Sequence, residues 1–495
     1  MTITKKLYVI SDLHIGGEYP KNDTDLGFRI CNKIGELTVF IKQKTEIGKS
    51  SKFDTELVIN GDFIDFLAEK WDGDEPWKPF IDDPKQAAKR LQTIIDRDKI
   101  LFDALADFLG AGHQLTILLG NHDIELSFPT VRQVLYENLK SYRKHLKFIY
   151  DGEAYVVGKV LIEHGNRYDG FNVIDQDNLR QLRSNDSRLE PTREKLMFKP
   201  PVGSLLVSSV MNKIKKDYAF VDLLKPETEA TIPLLLALAP QYRKHLLTIM
   251  KLGVEAKLHD PSNDGQPRYS VNIAANANDG TKEFLKYLKE FNNSHKQAEL
   301  FLKEIIDSVI SPIEAEDNNY GTRIGAFQNQ EEHERTWWAY LKLLTANKAK
   351  PLDSRLGTLK TALQVLRTDS SFERDKEPKN SNYLKAATRL LEGDNFDVVV
   401  FGHTHLPKKI ELDNGIYINT GTWADVMKFP LGILDLDEPE CTQALKKFVD
   451  EIKPNNEIEP NKISRYINDD DFKATYAEID LDENGNVLEV ELKDA

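Results

Sequence analysis

Cysteine is nearly absent from this sequence of 495 residues. Its two cysteines, Cys31 and Cys441, lie far apart, and neither belongs to a Cys-x-x-Cys pair. Disulfide frameworks and thiolate zinc sites both need several cysteines at short spacings. We therefore expect neither of them here, and no dithiol redox centre.

Long apolar runs are also lacking. The apolar run that ends at Ile10 spans four residues, which is too short for the core of a signal peptide. The longest later candidate, residues 233–240, falls far short of the roughly 18 apolar residues that cross a membrane. We therefore expect no transmembrane segment and a cytoplasmic location.

A surplus of positive charge is missing as well. The chain has 66 Lys and Arg against 80 Asp and Glu, which gives a formal net charge of -14. Because an acidic chain offers no broad basic surface to phosphate backbones, nucleic acid is not an expected partner. The apolar content of 40% is that of an ordinary globular protein. The length allows one large domain with an insertion, or two domains.

Short apolar runs in this sequence end repeatedly in small polar clusters. The clusters are Ser11-Asp12-Leu13-His14, Asn60-Gly61-Asp62, Gly120-Asn121-His122-Asp123, Glu163-His164-Gly165, Gly402-His403-Thr404-His405 and Asn419-Thr420-Gly421-Thr422. Such runs indicate buried strands, and helical patterns at residues 25–44 and 84–109 separate several of them. Strands that alternate with helices predict a layered α/β fold with polar sites at the strand ends.

The spacing of the clusters breaks once, between His164 and His403. Helical periodicity dominates in this gap, at residues 240–252, 282–302, 331–344 and 356–366, with one weak strand pattern at 269–273. We therefore divide the chain into residues 1–169, the first part of a core; residues 170–393, a helical insertion; and residues 394–495, the second part of the core. The insertion is expected to be a lid or substrate domain. Asn484-Gly485 between alternating runs predicts a hairpin near the C-terminus.

Two segments next to the clusters allow two interpretations each. Residues 166–169 follow His164 directly, and they either contact a substrate phosphate or pack the loop. Residues 195–216 mix lysines with apolar side chains, which favours an amphipathic helix packed on its own domain. A lid over an anionic or lipid-like substrate is the alternative for this second segment.

Seven residues in the clusters carry side chains that bind metal ions. They are Asp12, His14, Asp62, Asn121, His164, His403 and His405. This mixture of carboxylate, amide and imidazole suits Mn, Fe, Zn or Co and suits Ca poorly. The set exceeds what one tetrahedral ion needs and is enough for two ions that share a carboxylate and clamp a phosphoryl group. We therefore predict two divalent metal ions, with Mn as the first expectation, and a phosphate-containing small molecule as substrate.

The order of these motifs resembles that of the calcineurin-like metallophosphoesterase superfamily. The resemblance covers about residues 5–170 and 395–430. It implies an α/β fold, a β-sandwich flanked by helices. It also implies that one metal is held by Asp12, His14 and His405, and the other by Asn121, His164 and His403.

The resemblance implies roles for further residues. Asp62 would bridge the two metals, and a hydroxide shared by the metals would attack phosphorus. His122 would donate a proton to the leaving oxygen or clamp the phosphate, and a histidine titrates in the range that such a role needs. Asp123 and Asp65 would orient their neighbours. We take His122 and Asp123 as the catalytic residues.

The resulting hypothesis is a metal-dependent phosphoesterase acting on a phosphomonoester, a phosphodiester or a pyrophosphate. One alternative is a nucleotide-lipid hydrolase similar to the UDP-diacylglucosamine pyrophosphatases, whose third motif carries Arg where this chain has His122. A second alternative is a nuclease, which the acidic charge disfavours. A third is a non-catalytic scaffold, although such proteins usually lose ligands and this sequence retains all seven. The sequence predicts no oligomeric state.

Overall fold

The computed structural model describes residues 2–19, 28–73, 76–140, 144–189, 198–225, 230–239, 242, 339, 343, 353–364, 366, 372–379, 381–452 and 473–495. The helices predicted at 240–252, 282–302 and 331–344 and the weak strand at 269–273 lie outside these residues, apart from single positions.

Two β-sheets form the centre of the described structure. The strands in chain order are β1 (Lys5–Ile10), β2 (Asp54–Asn60), β3 (Gln114–Leu118), β4 (Leu146–Ile149), β5 (Tyr155–Val157), β6 (Val160–Ile162), β7 (Leu224–Lys225), β8 (Val398–Phe401), β9 (Lys408–Leu412), β10 (Gly415–Asn419), β11 (Met427–Lys428), β12 (Thr475–Leu481) and β13 (Val487–Asp494). One sheet has the order β13-β12-β1-β2-β3-β4, and the other has the order β5-β6-β8-β10-β9. Each strand that the sequence predicts before a polar cluster is present.

The strand directions bring the polar clusters to common edges. In the first sheet β1, β2, β3 and β4 run parallel. In the second sheet β6, β8 and β10 run parallel. β12 and β13 form the antiparallel hairpin predicted at Asn484-Gly485, and β13 lies at the edge of the first sheet.

Helices flank the sheets and fill the described part of the insertion. They are α1 (Ile34–Ser50), α2 (Pro84–Arg97), α3 (Lys99–Gly110), α4 (Pro129–Asn138), α5 (Gln176–Ser187), α6 (Val202–Leu206), α7 (Asn212–Lys215), α8 (Ile232–Leu238), α9 (Asp353–Leu363), α10 (Asn382–Leu391) and α11 (Glu438–Ile452). A π-helical turn, Val207–Met211, joins α6 to α7.

The single helix predicted over residues 84–109 is wrong, because the chain forms two helices that meet at Asp98. The Asp98 side chain is buried and accepts hydrogen bonds from Arg29 at 3.0 Å and from the Tyr19 hydroxyl at 2.6 Å. These tertiary contacts fix Asp98 between α2 and α3. The helix predicted over residues 25–44 begins later, at Ile34, and continues to Ser50.

The two sheets pack face to face around an apolar core. Because side chains alternate along a strand, Leu7 and Val9 of β1 point inward. They pack with Val160 and Ile162 of β6 and with Val398 of β8. This packing confirms the predicted β-sandwich.

Helices cover the outer faces of the sandwich. Tyr8 and Ile10, which point outward from β1, belong to a core that includes side chains of α1, α2, α3 and α4. On the second sheet, Ala387 of α10 packs with Val399 and Phe401 of β8. The predicted flanking helices are therefore confirmed.

The described part of residues 170–393 is mainly helical, and α7, α8 and α9 pack on the C-terminal part of the chain. All seven residues of α8 are buried, as expected for a helix that is apolar on every side. Leu235 of α8 shares a core with Leu359 of α9 and Phe448 of α11. β7 pairs with β11, which links the insertion to residues 427–428. The division of the chain at residues 169 and 393 stays a prediction.

A search of the described helices finds none with the length and apolar content that crossing a bilayer would require.

Candidate metal centre

Loops from both sheets converge at one edge of the sandwich. Asp12, Asp62 and Asn121 follow β1, β2 and β3 of the first sheet, and His164 and His403 follow β6 and β8 of the second. Because the carboxyl ends of parallel strands lie at the same edge, ligands collect in the crevice outside them. The fold therefore brings side chains together that are up to several hundred positions apart in sequence.

Several of these residues have strained backbone conformations, which set the directions of their side chains. The non-glycine residues with φ between 45° and 70° include Asp12, His14, Asp62, His403 and His405. Left-handed conformations of this kind cost roughly 1–2 kcal/mol each for non-glycine residues and cluster at functional sites. The cost at His403 is offset in part because its backbone N–H donates to Asp12 Oδ2 at 2.9 Å.

The first group of side chains is formed by Asp12, His14 and His405. One potential ligand atom from each lies within 4.8 Å of the others. The Nε2 atoms of His14 and His405 are 3.0 Å apart, and His405 Nε2 lies 3.4 Å from Asp12 Oδ1. Two imidazole nitrogens and a carboxylate that face one point form a usual first-row metal site.

The second group is formed by Asp62, His164 and His403, again with ligand atoms within 4.8 Å. Asp62 Oδ2 lies 3.3 Å from His164 Nε2 in this group and 3.8 Å from His14 Nε2 in the first group. One carboxylate oxygen therefore faces both groups, which is the position expected of a shared ligand.

His164 is held in a tautomer suited to binding a cation. Its Nδ1 lies 2.8 Å from the carbonyl oxygen of Asn60, and Asn60 in turn donates to the carbonyl of Glu163 at 2.9 Å. A proton on Nδ1 leaves the lone pair of Nε2 available, as in many metal-ligating histidines. Among the described residues, His164 Nε2 and Asn121 Oδ1 are buried without a hydrogen-bond partner.

The electrostatics of the site favour bound positive charge. Burial disfavours ionised Asp12, but His405 and His164 outweigh it and lower the pKa of Asp12 to about 2. Burial likewise opposes ionised Asp62, yet neighbouring histidines hold its pKa well below the usual range. Burial opposes the imidazolium of His164 as well, but Asp62 raises the pKa of His164 to about 10. Without a cation the carboxylates therefore recruit protons to the histidines, and a bound cation would take the place of those protons.

The residues present fit a divalent cation. Buried carboxylates and imidazoles face one another, and three buried atoms of the candidate ligands lack hydrogen-bond partners in the described part of the chain, namely His14 Nδ1, Asn121 Oδ1 and His164 Nε2. Burying such groups without compensation is costly, and coordination to a metal compensates for it. The donor set of carboxylate oxygen, amide oxygen and imidazole nitrogen suits first-row transition metals.

His122 lies beside both groups and borders the open space of the site. Its backbone N–H donates to Asp62 Oδ1 at 2.8 Å, and its Nδ1 lies 3.2 Å from Asp65 Oδ1. Burial opposes the charged ring, but Asp62 and Asp65 raise the pKa of His122 to about 9. Asp65 Oδ2 also lies 3.6 Å from His14 Nδ1, which is an electrostatic contact beyond hydrogen-bond distance.

Asp123 ties two of the loops together. Its carboxylate accepts from the Gly120 N–H at 2.7 Å and from the Phe63 N–H at 2.8 Å, and its side chain is fully buried. Burial and the nearby charge of Asp62 raise the pKa of Asp123 to about 7. These contacts are those of a residue that positions Asp62 and Asn121, and a direct part in the chemistry stays a prediction.

Asp169 and Asn172 also reach the site. Asp169 Oδ2 lies 3.0 Å from His403 Nε2, and Asn172 Oδ1 accepts from Asn121 Nδ2 at 3.4 Å. Residues 166–169 were expected to contact phosphate or pack the loop. Asn166 and Tyr168 pack within the structure, Asp169 contacts a predicted metal ligand, and a phosphate contact stays a prediction. Asn172 belongs to none of the polar clusters in the sequence, so the sequence pattern did not predict its position at the site.

A cavity of about 470 Å³ opens onto this centre. Part of its wall carries side chains of the site, namely His14, Asp62, Asp65, Asn121, His122, Asp169, His403 and His405. Other parts carry apolar side chains and the charged residues Lys215, Asp222 and Lys225 from the insertion. A pocket of this volume is in the range of small-molecule sites.

Residues 5–233 match the family model described as calcineurin-like phosphoesterase. This match confirms the resemblance predicted from the motifs, and it extends beyond residue 170 into α8. It includes the clusters from Asp12 to His164 and ends before His403 and His405, whose place in the site follows from the distances above. No curated protein matches the chain.

Proposed function

Residues 5–233 belong to the calcineurin-like phosphoesterase family, and on that premise we propose that the protein hydrolyses a phosphomonoester, phosphodiester or pyrophosphate in a metal-dependent reaction. The observation that carries the proposal is the position of Asp62, whose Oδ2 faces a histidine of each ligand group at 3.3 and 3.8 Å. A carboxylate shared between two ligand groups is typical of sites that hold two metal ions for phosphoryl chemistry.

We assign two divalent metal ions to the site, with Mn as first choice and Fe, Zn or Co as alternatives. The residues that would hold them are Asp12, His14 and His405 for one ion, Asn121, His164 and His403 for the other, and Asp62 for both. When bound, such ions neutralise charge on the phosphoryl group and supply a nucleophile at neutral pH. Burial lowers the pKa of His405 to about 4, so this imidazole is neutral, as a ligand must be.

His122 is the residue that we propose as proton donor to the leaving oxygen. It borders the cavity, and its contact with Asp65 leaves the second ring nitrogen for the substrate. A histidine held in this way can also bind a phosphoryl oxygen before it gives up its proton. We propose that Asp123 acts on the reaction through the loops it joins rather than by contact with substrate.

Metal-loaded protein tests the proposed activity. Purified protein with Mn is assayed on 4-nitrophenyl phosphate, bis(4-nitrophenyl) phosphate and pyrophosphate, and bound metal is counted by mass spectrometry. We expect turnover of at least one of them and two Mn per chain. Chelation should abolish turnover, and added Mn should restore it.

The variant Asp62→Asn provides the matched test, with Asp54→Asn as its control. Both residues lie on or next to β2, but Asp54 is exposed at the opposite end of the strand. Turnover and the second metal should be lost in Asp62→Asn and kept in Asp54→Asn. Two bound metals without turnover of any ester would instead favour the non-catalytic scaffold.

A phosphate-containing small molecule is the partner that this proposal requires, and the cavity of about 470 Å³ has room for one. We further propose that residues 170–393 select the substrate, because side chains from this segment form part of the cavity wall. We also propose a cytoplasmic location, and cell fractionation tests it.

A further inference from the structure

The cavity above the metal centre has a distinctly apolar section of wall. Its side chains are Leu206 at the end of α6, Val207 and Met211 of the π-helical turn, and Ile232 and Leu235 of α8. Leu206, Val207 and Met211 are only half-buried, although each has buried neighbours. Apolar side chains that line a cavity without filling it offer contact area to an apolar ligand.

The backbone of this section is irregular where it borders the cavity. A π-helical turn spans Val207–Met211 within the continuous helical segment from Val202 to Lys215. π-turns inside helices are rare and occur mostly at functional sites. The next residue, Asn212, donates to the carbonyl of Leu67 at 2.9 Å, which anchors the turn to the loop that carries Asp65.

A polar atom in the same wall lacks a partner. Thr231 is 3% exposed, and its Oγ1 has no hydrogen-bond partner among the described residues. Unsatisfied buried hydroxyls are uncommon in folded proteins and usually face a water or ligand. Thr231 borders the cavity next to Ile232, so a small rotation of its side chain would let this hydroxyl meet a bound molecule.

Phosphate alone would leave most of this space empty. The volume of about 470 Å³ is roughly fifteen times the ~30 Å³ that one water occupies in the liquid. The metal centre accounts for recognition of a phosphoryl group, but it gives no reason for the apolar wall. A substrate that fills both regions must carry an apolar group attached to its phosphate.

We propose that the substrate is a phosphate ester with an apolar chain or ring system, which packs against Leu206, Val207, Met211, Ile232 and Leu235 while the phosphoryl group lies at the metal centre. The inference rests on the proposed phosphoesterase function and specifies its substrate class. The reaction is hydrolysis: water adds to phosphorus, the P–O bond to the apolar alcohol breaks, and the alcohol leaves with a proton.

A series of n-alkyl phosphates from ethyl to octyl tests the proposal on Mn-loaded protein. The leaving alcohols in this series are chemically alike, so differences in kcat/KM report contacts made by the chain. Each methylene that becomes buried should raise kcat/KM about fourfold, until the chain outgrows the wall. Methyl and octyl 4-nitrophenyl phosphates extend the same comparison to diesters.

Binding of the non-hydrolysable ethyl- and octylphosphonates, measured by calorimetry, gives a readout that does not depend on turnover. Octylphosphonate should bind more tightly to the Mn-loaded protein. Turnover with a flat chain-length profile would overturn the apolar subsite and leave the phosphoesterase function intact. Absence of turnover in both series would overturn the proposed function, while chain-dependent phosphonate binding in the same samples would still support the subsite.

Leu206→Gln and Leu205→Gln form a matched pair of variants. Both leucines lie in α6 and are partly buried, but Leu206 borders the cavity and Leu205 is not part of its wall. Leu206→Gln should reduce the octyl-to-ethyl ratio of kcat/KM about tenfold, because a polar amide then meets the chain. Leu205→Gln should keep the ratio. Equal ratios in the two variants would refute the assigned wall.

Discussion

Glu125 is a buried carboxyl group whose surroundings predict how the free energy of unfolding changes with pH. It lies in the short helical turn after the His122 loop and is 2% exposed. Its Oε1 accepts from the Ile81 N–H at 2.7 Å, which ties residues 76–83 to this loop. Burial raises the pKa of Glu125 to about 8, and the negative charges of Asp123 and Asp65 add to the effect.

The consequence is a loss of stability as the pH rises. An acid whose pKa is higher in the folded state holds a proton there that the unfolded chain has released. Below its ordinary pKa of 4.5 the group is protonated in both states and carries no penalty. Between pH 4.5 and about 8, folding takes up one proton, and the free energy of unfolding falls by up to roughly 1.4 kcal/mol per pH unit. At pH 7 the accumulated loss is on the order of 3 kcal/mol.

The variant Glu125→Gln removes this proton uptake and keeps an oxygen that can accept from Ile81. The difference in unfolding free energy between Glu125→Gln and the parent should therefore grow with pH from about 5 to 8. Urea unfolding of metal-free protein at several pH values measures it. Glu137→Gln is the control, because Glu137 is exposed on the following helix, α4.

Infrared spectroscopy gives a direct check on the same group. The carbonyl stretch of a protonated carboxylic acid should persist to about pH 8 in the parent. In Glu125→Gln the band that remains comes from Asp123 and should disappear near pH 7. Parallel pH profiles of unfolding for the two proteins, or loss of the band below pH 6, would refute this account of Glu125.

The remaining predictions concern the metal centre. Asp62→Ala should abolish turnover and reduce bound Mn, measured by mass spectrometry; a fully active variant would contradict the shared-ligand role. His122→Ala should keep both metals and lower kcat by roughly 10²- to 10⁴-fold, and loss of metal in this variant would overturn the role as proton donor. Gly120→Ala should act like Asp62→Ala, because an added Cβ would come within 2.1 Å of Asp62 Oδ1. Gly35→Ala, where a Cβ meets nothing within 4 Å, is its control and should keep full activity and metal content.

The strands and the candidate ligands could be predicted because their signals are local. A short apolar run followed by Asp, His or Asn identifies both a buried strand and the end of that strand, as for β2 and Asp62. Parallel pairing then brings such ends to one edge, whatever the length of chain between them. For this reason the meeting of His403 with His164 across the insertion was foreseeable.

The features that escaped prediction depend on contacts between distant segments. The break between α2 and α3 follows from the burial of Asp98 against Arg29, which helical periodicity does not register. The sequence places Asp169 in the loop after His164, but its contact with His403 at 3.0 Å depends on the fold. Glu125 has nothing unusual in its neighbours along the chain, and its raised pKa follows from its burial in the fold.

The candidate metal ligands and the apolar side chains of the cavity wall differ in how their positions are fixed. The candidate metal ligands follow strand ends, so their positions are set by a sheet whose register leaves little freedom. Leu206 and Met211 are placed by a helical segment that a π-turn rotates and that Asn212 fastens to the carbonyl of Leu67. An inserted or lost residue in that helix would turn its apolar side chains by about 100° and leave the metal centre unchanged. Under the proposed function, substrate preference would therefore change through small alterations of the insertion, whereas the candidate metal centre would tolerate little change. An insertion of one alanine after Ser209, an exposed position in the π-turn, should thus alter the chain-length profile of alkyl phosphates and keep the Mn content.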